Sequence, residues 1–459
     1  MQPSLEESNP ELTQADHRAN RKASVLKTIK TSIWTKFPSV IILLVVLPLA
    51  TREFGPTFNA FAAILALLST FQTFNLGVGP AAAMELSKFA ESPNEEEESL
   101  VIGQSILAYF LSSVLTALIF IGAYYLFGQN LIYGHTLQDQ AAMLTLGTVL
   151  ITVGILLNGP SSLAQQLNTG YLQEHKNAQA NIFIQSAVLI VSIFAVTILK
   201  SPAIYLFTVA LTHPTITVLH SLRFFLIDKP RIKPRLNKAS LSNSLILLMN
   251  NCLFSIGTMG TLTTRALPVL LIGFYSASSN NIGTASLFIS WLNPIINIMT
   301  LVTVSLTPAI ATAITNHDFD WARRILQKLA KYVTLTLAVG IPLAYFIGPK
   351  VHRALFPSQY TLTSLHFALL LLAATTSAIL GLAFSTSAAS KRYKQNAQAG
   401  IIQAVVGTSV AIALLPTLGI TGMALAIIMS EAVALIYLAA NIRKNLNTSQ
   451  VKGSHSNTD

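Results

Sequence analysis

Apolar residues along this chain gather into twelve stretches of membrane-spanning length, separated by short polar segments. They fall at about 33–51, 57–78, 101–126, 141–161, 178–199 and 203–223, then at about 243–270, 281–308, 325–346, 362–386, 398–418 and 420–441. A helix needs roughly 20 apolar residues to cross a bilayer, so the pattern predicts twelve transmembrane helices. The seventh stretch is the least regular, because Arg265 and Pro268 interrupt it.

The second six stretches repeat the first. Asn177-Ala178-Gln179-Ala180-x-Ile182 returns as Asn396-Ala397-Gln398-Ala399-x-Ile401, displaced by 219 residues. Gly55 and Pro80 lie 25 apart, as do Gly283 and Pro308. The fold class expected is therefore an all-α integral membrane protein, with about 12 helices in two six-helix bundles. An even number of spans per half inserts both copies in the same sense, which makes this a parallel internal repeat. The domains expected are a tail over 1–26, a first bundle over 27–223, a linker over 224–242, a second bundle over 243–441 and a tail over 442–459. Two halves that rock against each other give alternating access, which is the architecture of a carrier.

Composition narrows the class further. Only 10% of residues are charged and 52% are hydrophobic, at a mean hydropathy of +0.58. The spans take about half the chain and leave no room for a soluble catalytic domain. One cysteine, Cys252, excludes an intramolecular disulfide framework. No cleavable signal precedes the first span, which is expected to act as its own insertion signal. Lys and Arg crowd one set of loops: the N-terminal tail, Lys88, Lys176, the linker (Lys229, Arg231, Lys233, Arg235, Lys238), the 309–331 loop and the C-terminal end. The other side holds Arg52, Lys200, Lys350 and Arg353. Positive loops stay inside, so both termini are expected in the cytoplasm and the protein in the cell inner membrane. The net charge of +11 is mostly this topological signal, and no nucleic-acid partner is expected. Phosphate-binding loops, zinc motifs and nucleophile elbows are absent from the sequence, so no enzyme, cofactor or metal site is expected. Transport would then draw on an ion gradient or on the substrate's own gradient. The run Glu95-Glu96-Glu97-Glu98 reads as a solvated face, with contact to a basic partner or to the 309–331 loop as the other reading.

Candidate chemistry lies in the polar residues inside the spans, because ionisable groups in hydrocarbon are costly and tend to be functional. Arg265 offers a planar, permanent cation suited to phosphate or carboxylate; a snorkelled or paired arginine is the competing reading. Glu431 lies deep in the last span, as a coupling site for a proton or sodium ion or as the partner of Arg265 or another base. Lys36, one turn inside the first span, either snorkels or supports the lumen. Arg52 with Glu53 marks a gate or simply the membrane interface. His213 and His220 are titratable or merely buried. Amides are frequent: Gln72 and Asn75, Asn158, Asn181 and Gln185, Asn250 and Asn251, Asn293 and Asn297, and Gln403. Pairs three or four apart share a helix face, which suits helix-to-helix bonding or a path for sugar hydroxyls. The substrate-binding set expected is Arg265, Lys36, Gln72, Asn75, Asn181, Gln185, Asn251, Asn293 and Asn297.

Leu49-Ala50-Thr51-Arg52-Glu53-Phe54-Gly55, followed by a span and Asn75-Leu76-Gly77-Val78-Gly79-Pro80-Ala81-Ala82, resembles the opening of bacterial polysaccharide-export flippases. These form the O-antigen translocase (Wzx-type) group, in the superfamily that also holds multidrug extruders. The resemblance covers the whole chain in order and spacing, and Gly55, Gly77, Gly79 and Pro80 fit the opening pattern, with the glycines and Pro80 as its turn. It implies that an oligosaccharide repeat unit on polyprenyl diphosphate is moved from the cytoplasmic to the outer leaflet for surface polysaccharide such as O-antigen. It also implies a cationic lumen, ion coupling, contact with membrane lipids and polysaccharide polymerase or assembly partners. The chain departs from the group at Ala81-Ala82-Ala83-Met84-Glu85, where relatives place a basic residue. Two alternatives stand beside it. One is an ion-coupled drug or metabolite extruder of the same superfamily, which would crowd acidic residues into the first bundle, where none lies deep. The other is a non-transporting assembly scaffold with dry helix packing. A peptidoglycan-precursor flippase would carry two further spans.

Overall fold

The computed structural model describes residues 34, 37–38, 40–72, 86, 94–133, 135–170, 174–228, 233–237, 240–275, 278–315, 319–389 and 393–455. Among these, twelve long helices follow one another: α1 (Leu47–Phe54), α2 (Thr57–Gln72), α3 (Glu95–Tyr133), α4 (Ala141–Gly170), α5 (Glu174–Phe194) and α6 (Pro202–Arg223), then α7 (Ser240–Tyr275), α8 (Asn280–Thr315), α9 (Phe319–Leu355), α10 (Ser364–Ala389), α11 (Tyr393–Leu418) and α12 (Ile420–His455). Each corresponds to one apolar stretch of the sequence. Eight of them are long and apolar enough to cross a membrane, and Thr57–Leu68 and Ala141–Leu157 are shorter apolar helices. The chain is an all-α, multi-pass membrane protein.

Local chemistry sets the helix ends. A widened π turn, Ile42–Val46, leads into α1 just before Pro48. Proline has no N–H to return to the carbonyl four residues back, and a widened turn accommodates the missing bond. Gly55 ends α1 at φ +52°, ψ −128°, a conformation that costs a side-chain-bearing residue dearly. Asn94 opens α3, its Oδ1 accepting from the Glu97 N–H at 3.4 Å. The acidic run occupies the first turn, where the helix dipole favours negative charge. That is why α3 begins before its apolar stretch. The run faces the linker: Arg235 lies 4.0 Å from Glu96, both exposed, and its N–H donates to the Ser99 carbonyl. At the other end of the chain, α12 runs on as helix through 442–455, since no Gly or Pro interrupts the sequence between Asn441 and Gly453.

The sequence repeat is visible as one repeated bond. Asn177 Nδ2 donates to the Gln165 carbonyl at 2.7 Å, and Asn396 Nδ2 donates to the Phe384 carbonyl at 3.1 Å. Each ties the start of one helix to the end of its predecessor, α5 to α4 and α11 to α10. The glycine pair of the sequence behaves differently. Gly55 ends a helix, whereas Gly283 lies inside α8 and clears space for Asn59 and Tyr360. Their matched spacing to a proline therefore does not give them a common role.

Helices α2 to α6 pack mainly among themselves, as do α7 to α12. The most extensive pairing joins α7 to α11. It depends on Gly260 and Gly400, where a methyl group on either would strike the other helix's backbone. Across the halves, α2 meets α7 and α8, and α3 meets α7. The apolar core divides unevenly with depth. Toward the α1–α2 turn, one core joins both halves, with Phe54, Phe58 and Phe61 packed in the same cluster as Phe288, Phe356 and Tyr360. Toward the linker, the cores among the described residues are separate: Ile102, Tyr109, Leu163 and Phe224 in the first half, Leu380, Ala399, Ala434 and Leu438 in the second.

Replacing Gly260 by Leu should overpack the α7–α11 seam and cost at least about 1–3 kcal/mol. A drop in the thermal unfolding midpoint of purified protein checks this; an unchanged midpoint contradicts the seam.

Candidate functional site

Arg265 sits on α7 one turn before Pro268, which has no N–H to give the Thr264 carbonyl. Its guanidinium Nη2 lies 3.6 Å from Glu431 Oε1 on α12. Two hydroxyls from α10 hold the same carboxyl. Ser377 Oγ is 2.6 and 2.7 Å from its two oxygens, and Thr376 Oγ1 is 2.8 Å from Oε2. Four helices converge here, since Gln403 of α11 donates to Thr264 beside Arg265 at 3.4 Å. A charge in an apolar interior is tolerated when paired and hydrogen-bonded, and Glu431 has both kinds of support.

The pair is asymmetric. The Glu431 side chain is 0% exposed and that of Arg265 is 23% exposed. Arg265 Nε has no hydrogen-bond partner among the described residues. The contact to Glu431 is a single long one, so among the described residues the five-donor fork of the guanidinium is far from filled. Thr376 has a choice of acceptor, because its Oγ1 is also 2.9 Å from the Ala373 carbonyl. Depth agrees across the three helices. Arg265 lies ten residues from the end of α7, Glu431 eleven from the start of α12 and Thr376 twelve from the start of α10. At 1.5 Å per residue this is about 15–18 Å from the turn-face end, near the middle of a hydrocarbon layer about 30 Å thick.

The remaining residues expected from the sequence scatter. Lys36, Asn75, Gly77, Gly79 and Pro80 lie outside the described residues. Gln72 is the last residue of α2 and Asn251 lies within α7; their side chains are also outside the description. Asn181 accepts from Gln165 Nε2 at 3.5 Å, a bond between α5 and α4, and Gln185 is half-buried one turn on. Asn293 is exposed and Asn297 half-buried on α8. Neither amide pair hydrogen-bonds to Arg265 or Glu431.

Arg52 joins a second cluster, at the turn face. Its Nη2 donates to the Ala354 and Leu355 carbonyls at 3.2 and 3.0 Å, capping the end of α9 from the other half of the chain. Cations are favourable at a helix C-terminus. Nearby, the Tyr360 hydroxyl donates to Asn59 Oδ1 at 3.1 Å, and Asn59 Nδ2 donates to Ser279 and Asn280. His352 fixes the Tyr360 backbone: Trp291 donates to its Nδ1, so its Nε2 carries the proton and donates to the Tyr360 carbonyl at 2.9 Å. Glu53 pairs with Lys200 at 3.4 Å. Asn59, Tyr360, Thr376 and Ser377 escaped the sequence reading. Asn59 was the most accessible of them, as an amide three residues into an apolar helix.

Neither a protein-family model nor a curated protein matches the chain. Solved structures do. The eukaryotic MATE transporter AtDTX14 superposes with a TM-score of 0.69 at 12% identity, over 92% of this chain and 96% of that one. The lipid II flippase MurJ, in an inward closed conformation, gives 0.63 at 16% identity over 90% and 87%. A MOP superfamily transporter from Pyrococcus furiosus, described by the reverse polarity of its binding pocket, gives 0.60 at 13% identity over 92% and 96%. The chain has the fold that MATE transporters and MurJ share, and both neighbours are transporters of the MOP superfamily.

Removing one member of a buried pair leaves the other charge stranded, whereas removing both is far milder. Arg265→Met or Glu431→Gln alone should each lower stability, by about 3 kcal/mol for the arginine change. The double variant should recover much of that loss. Thermal unfolding of the three variants checks it, and additive losses in the double variant would refute the pairing.

Proposed function

We propose that this chain is a multi-pass flippase of the cytoplasmic membrane that moves an anionic, lipid-linked oligosaccharide from the inner to the outer leaflet by alternating access. The observation that carries the proposal is Arg265: a permanent cation at mid-depth, with unfilled donors, on a helix packed between the halves. Helix α7 touches α2, α3, α8, α11 and α12, and in this reading the exposed part of Arg265 faces the space between helices. The shared core closes the turn face, and among the described residues the linker-side clusters are separate although α3 and α7 touch there. With the linker in the cytoplasm, as the positive charges indicate, substrate enters from the inside in this reading. A diphosphate suits the free donors of a guanidinium. Amide side chains on the flanking helices suit sugar hydroxyls, and a polyprenyl chain can stay in lipid between the bundles. Lys36 adds a second cation in this reading.

A cation extruder of the same fold is the competing reading, and MATE transporters are among the structural neighbours. Its carboxylate would have to be Glu431, which is closed off behind Arg265 and fully buried. This disfavours an organic cation and favours an anion on the arginine.

Cells lacking the gene should lose surface glycan and accumulate complete lipid-linked repeat units facing the cytoplasm. Arg265→Ala should not restore export, and Arg265→Lys should restore part of it, since lysine keeps the charge without the fork. Unchanged surface glycan together with sensitivity to cationic compounds would transfer the case to the extruder.

A further inference from the structure

We propose that Arg265 and Glu431 form a proton-linked anion switch: an anion arriving on Arg265 takes the guanidinium from Glu431, and Glu431 takes up a proton in its place. The inference rests on the flippase reading for the anion's identity and on the geometry of the pair for everything else.

Four features make the exchange chemically ready. The arginine is the open member of the pair, 23% exposed against 0% for the glutamate, so a ligand reaches the cation first. Its contact to Glu431 is a single one at 3.6 Å, and among the described residues its buried Nε has no partner, so losing one long contact releases the guanidinium to a phosphate. The carboxyl does not depend on Arg265 for its position, because Ser377 and Thr376 hold both oxygens at 2.6–2.8 Å. Finally, the hydroxyls serve either protonation state. Thr376 Oγ1 has one proton and two acceptors in reach, Glu431 Oε2 and the Ala373 carbonyl. A carbonyl can only accept. When Thr376 donates to Glu431, the carboxyl is a carboxylate; when it turns to Ala373, its lone pair accepts from a protonated Glu431. Turning one O–H is enough for Thr376 to serve either protonation state of the carboxyl.

The balance is one bond each way. The Arg265–Glu431 ion pair breaks and an Arg265–anion pair forms. A proton from the aqueous opening bonds to Glu431 Oε2, so the buried charge stays compensated. A stranded carboxylate at this depth would be expensive, and that cost drives the proton's uptake. Among the described side chains, the other titratable groups of these helices stand at helix ends or are otherwise engaged. His366 at the start of α10 accepts from the Thr363 N–H and bonds Thr421, and Lys394 begins α11. Tyr275 ends α7, and Tyr437 on α12 donates to Gln398. Helix α8 contributes none, and Arg265 is the charge paired with Glu431.

The test is titration calorimetry of the purified protein with geranylgeranyl diphosphate, in two buffers of different ionisation heat across the neutral range. Wild type should take up about one proton per diphosphate bound, and affinity should rise about tenfold per unit fall in pH where the linkage is full. Protonation of the diphosphate itself is common to all variants and cancels between them. Glu431→Gln should bind with an affinity whose pH dependence is only that of the probe, and with no excess proton uptake. Thr376→Val, which keeps the ion pair, should shift the pH range of the linkage. Inorganic pyrophosphate, run alongside, separates a headgroup site from one that needs the lipid. Diphosphate binding with the same proton count in wild type and Glu431→Gln overturns the switch and leaves the flippase standing. Absence of binding by either probe to folded wild type overturns the flippase reading and the switch with it.

Discussion

The structure turns on what a hydrocarbon interior demands of a charge. Glu431 cannot remain ionised at mid-depth without compensation, and α7, α10 and α12 are brought together by supplying it. Arg265 gives the opposite charge, while Ser377 and Thr376 give directed hydrogen bonds. The small residues nearby serve the same end. Gly407 of α11 packs directly on Thr264 and Ser430, where a side chain would force α7 and α12 apart. A bundle that must hold a carboxylate cannot also be loosely packed, and the tight α7–α11 seam follows from that.

A second constraint acts at the turn face. There the halves are joined by groups that each need a partner from the other half: Arg52 on the α9 carbonyls, Tyr360 on Asn59, and Asn59 on Ser279 and Asn280. These bonds are few and directional, lying on an apolar core common to both halves. Apolar cores resist continuous deformation but tolerate a change between two packings. Hydrogen bonds that water can replace at an exposed end make such a joint reversible. The linker face has no shared apolar core among the described residues, and there the halves touch through α3 and α7, with Ser244 Oγ donating to the Gln104 carbonyl at 2.9 Å.

Much of this was readable in the chain. Helices over the apolar stretches follow from hydrophobicity alone, because a bilayer admits few alternatives. The Asn177/Asn396 repeat turned out to be one hydrogen bond used twice. Arg265 and Glu431 announced themselves as ionisable residues in apolar stretches, and their mutual pairing was among the readings left open. What stayed hidden was of two kinds. Ser377 and Thr376 are unremarkable residues in a helix of small side chains, and only the fold gives them a carboxylate to hold. Arg52, Asn59 and Tyr360 meet across some 300 residues of chain, a separation at which sequence alone carries no contact information. Hydropathy marks the apolar spans, and at two places the helix runs beyond them. At α3 the cap and the dipole extended the helix into charged sequence, and at α12 nothing stopped it.

The account stands or falls on what occupies Arg265 when substrate is present. A structure of the protein in a lipid nanodisc with a polyprenyl-diphosphate-linked oligosaccharide addresses this directly. The account predicts diphosphate density within hydrogen-bond distance of the Arg265 guanidinium, with the Glu431 carboxyl withdrawn onto Ser377 and Thr376. Substrate density elsewhere, with Arg265 still paired to Glu431, would contradict it.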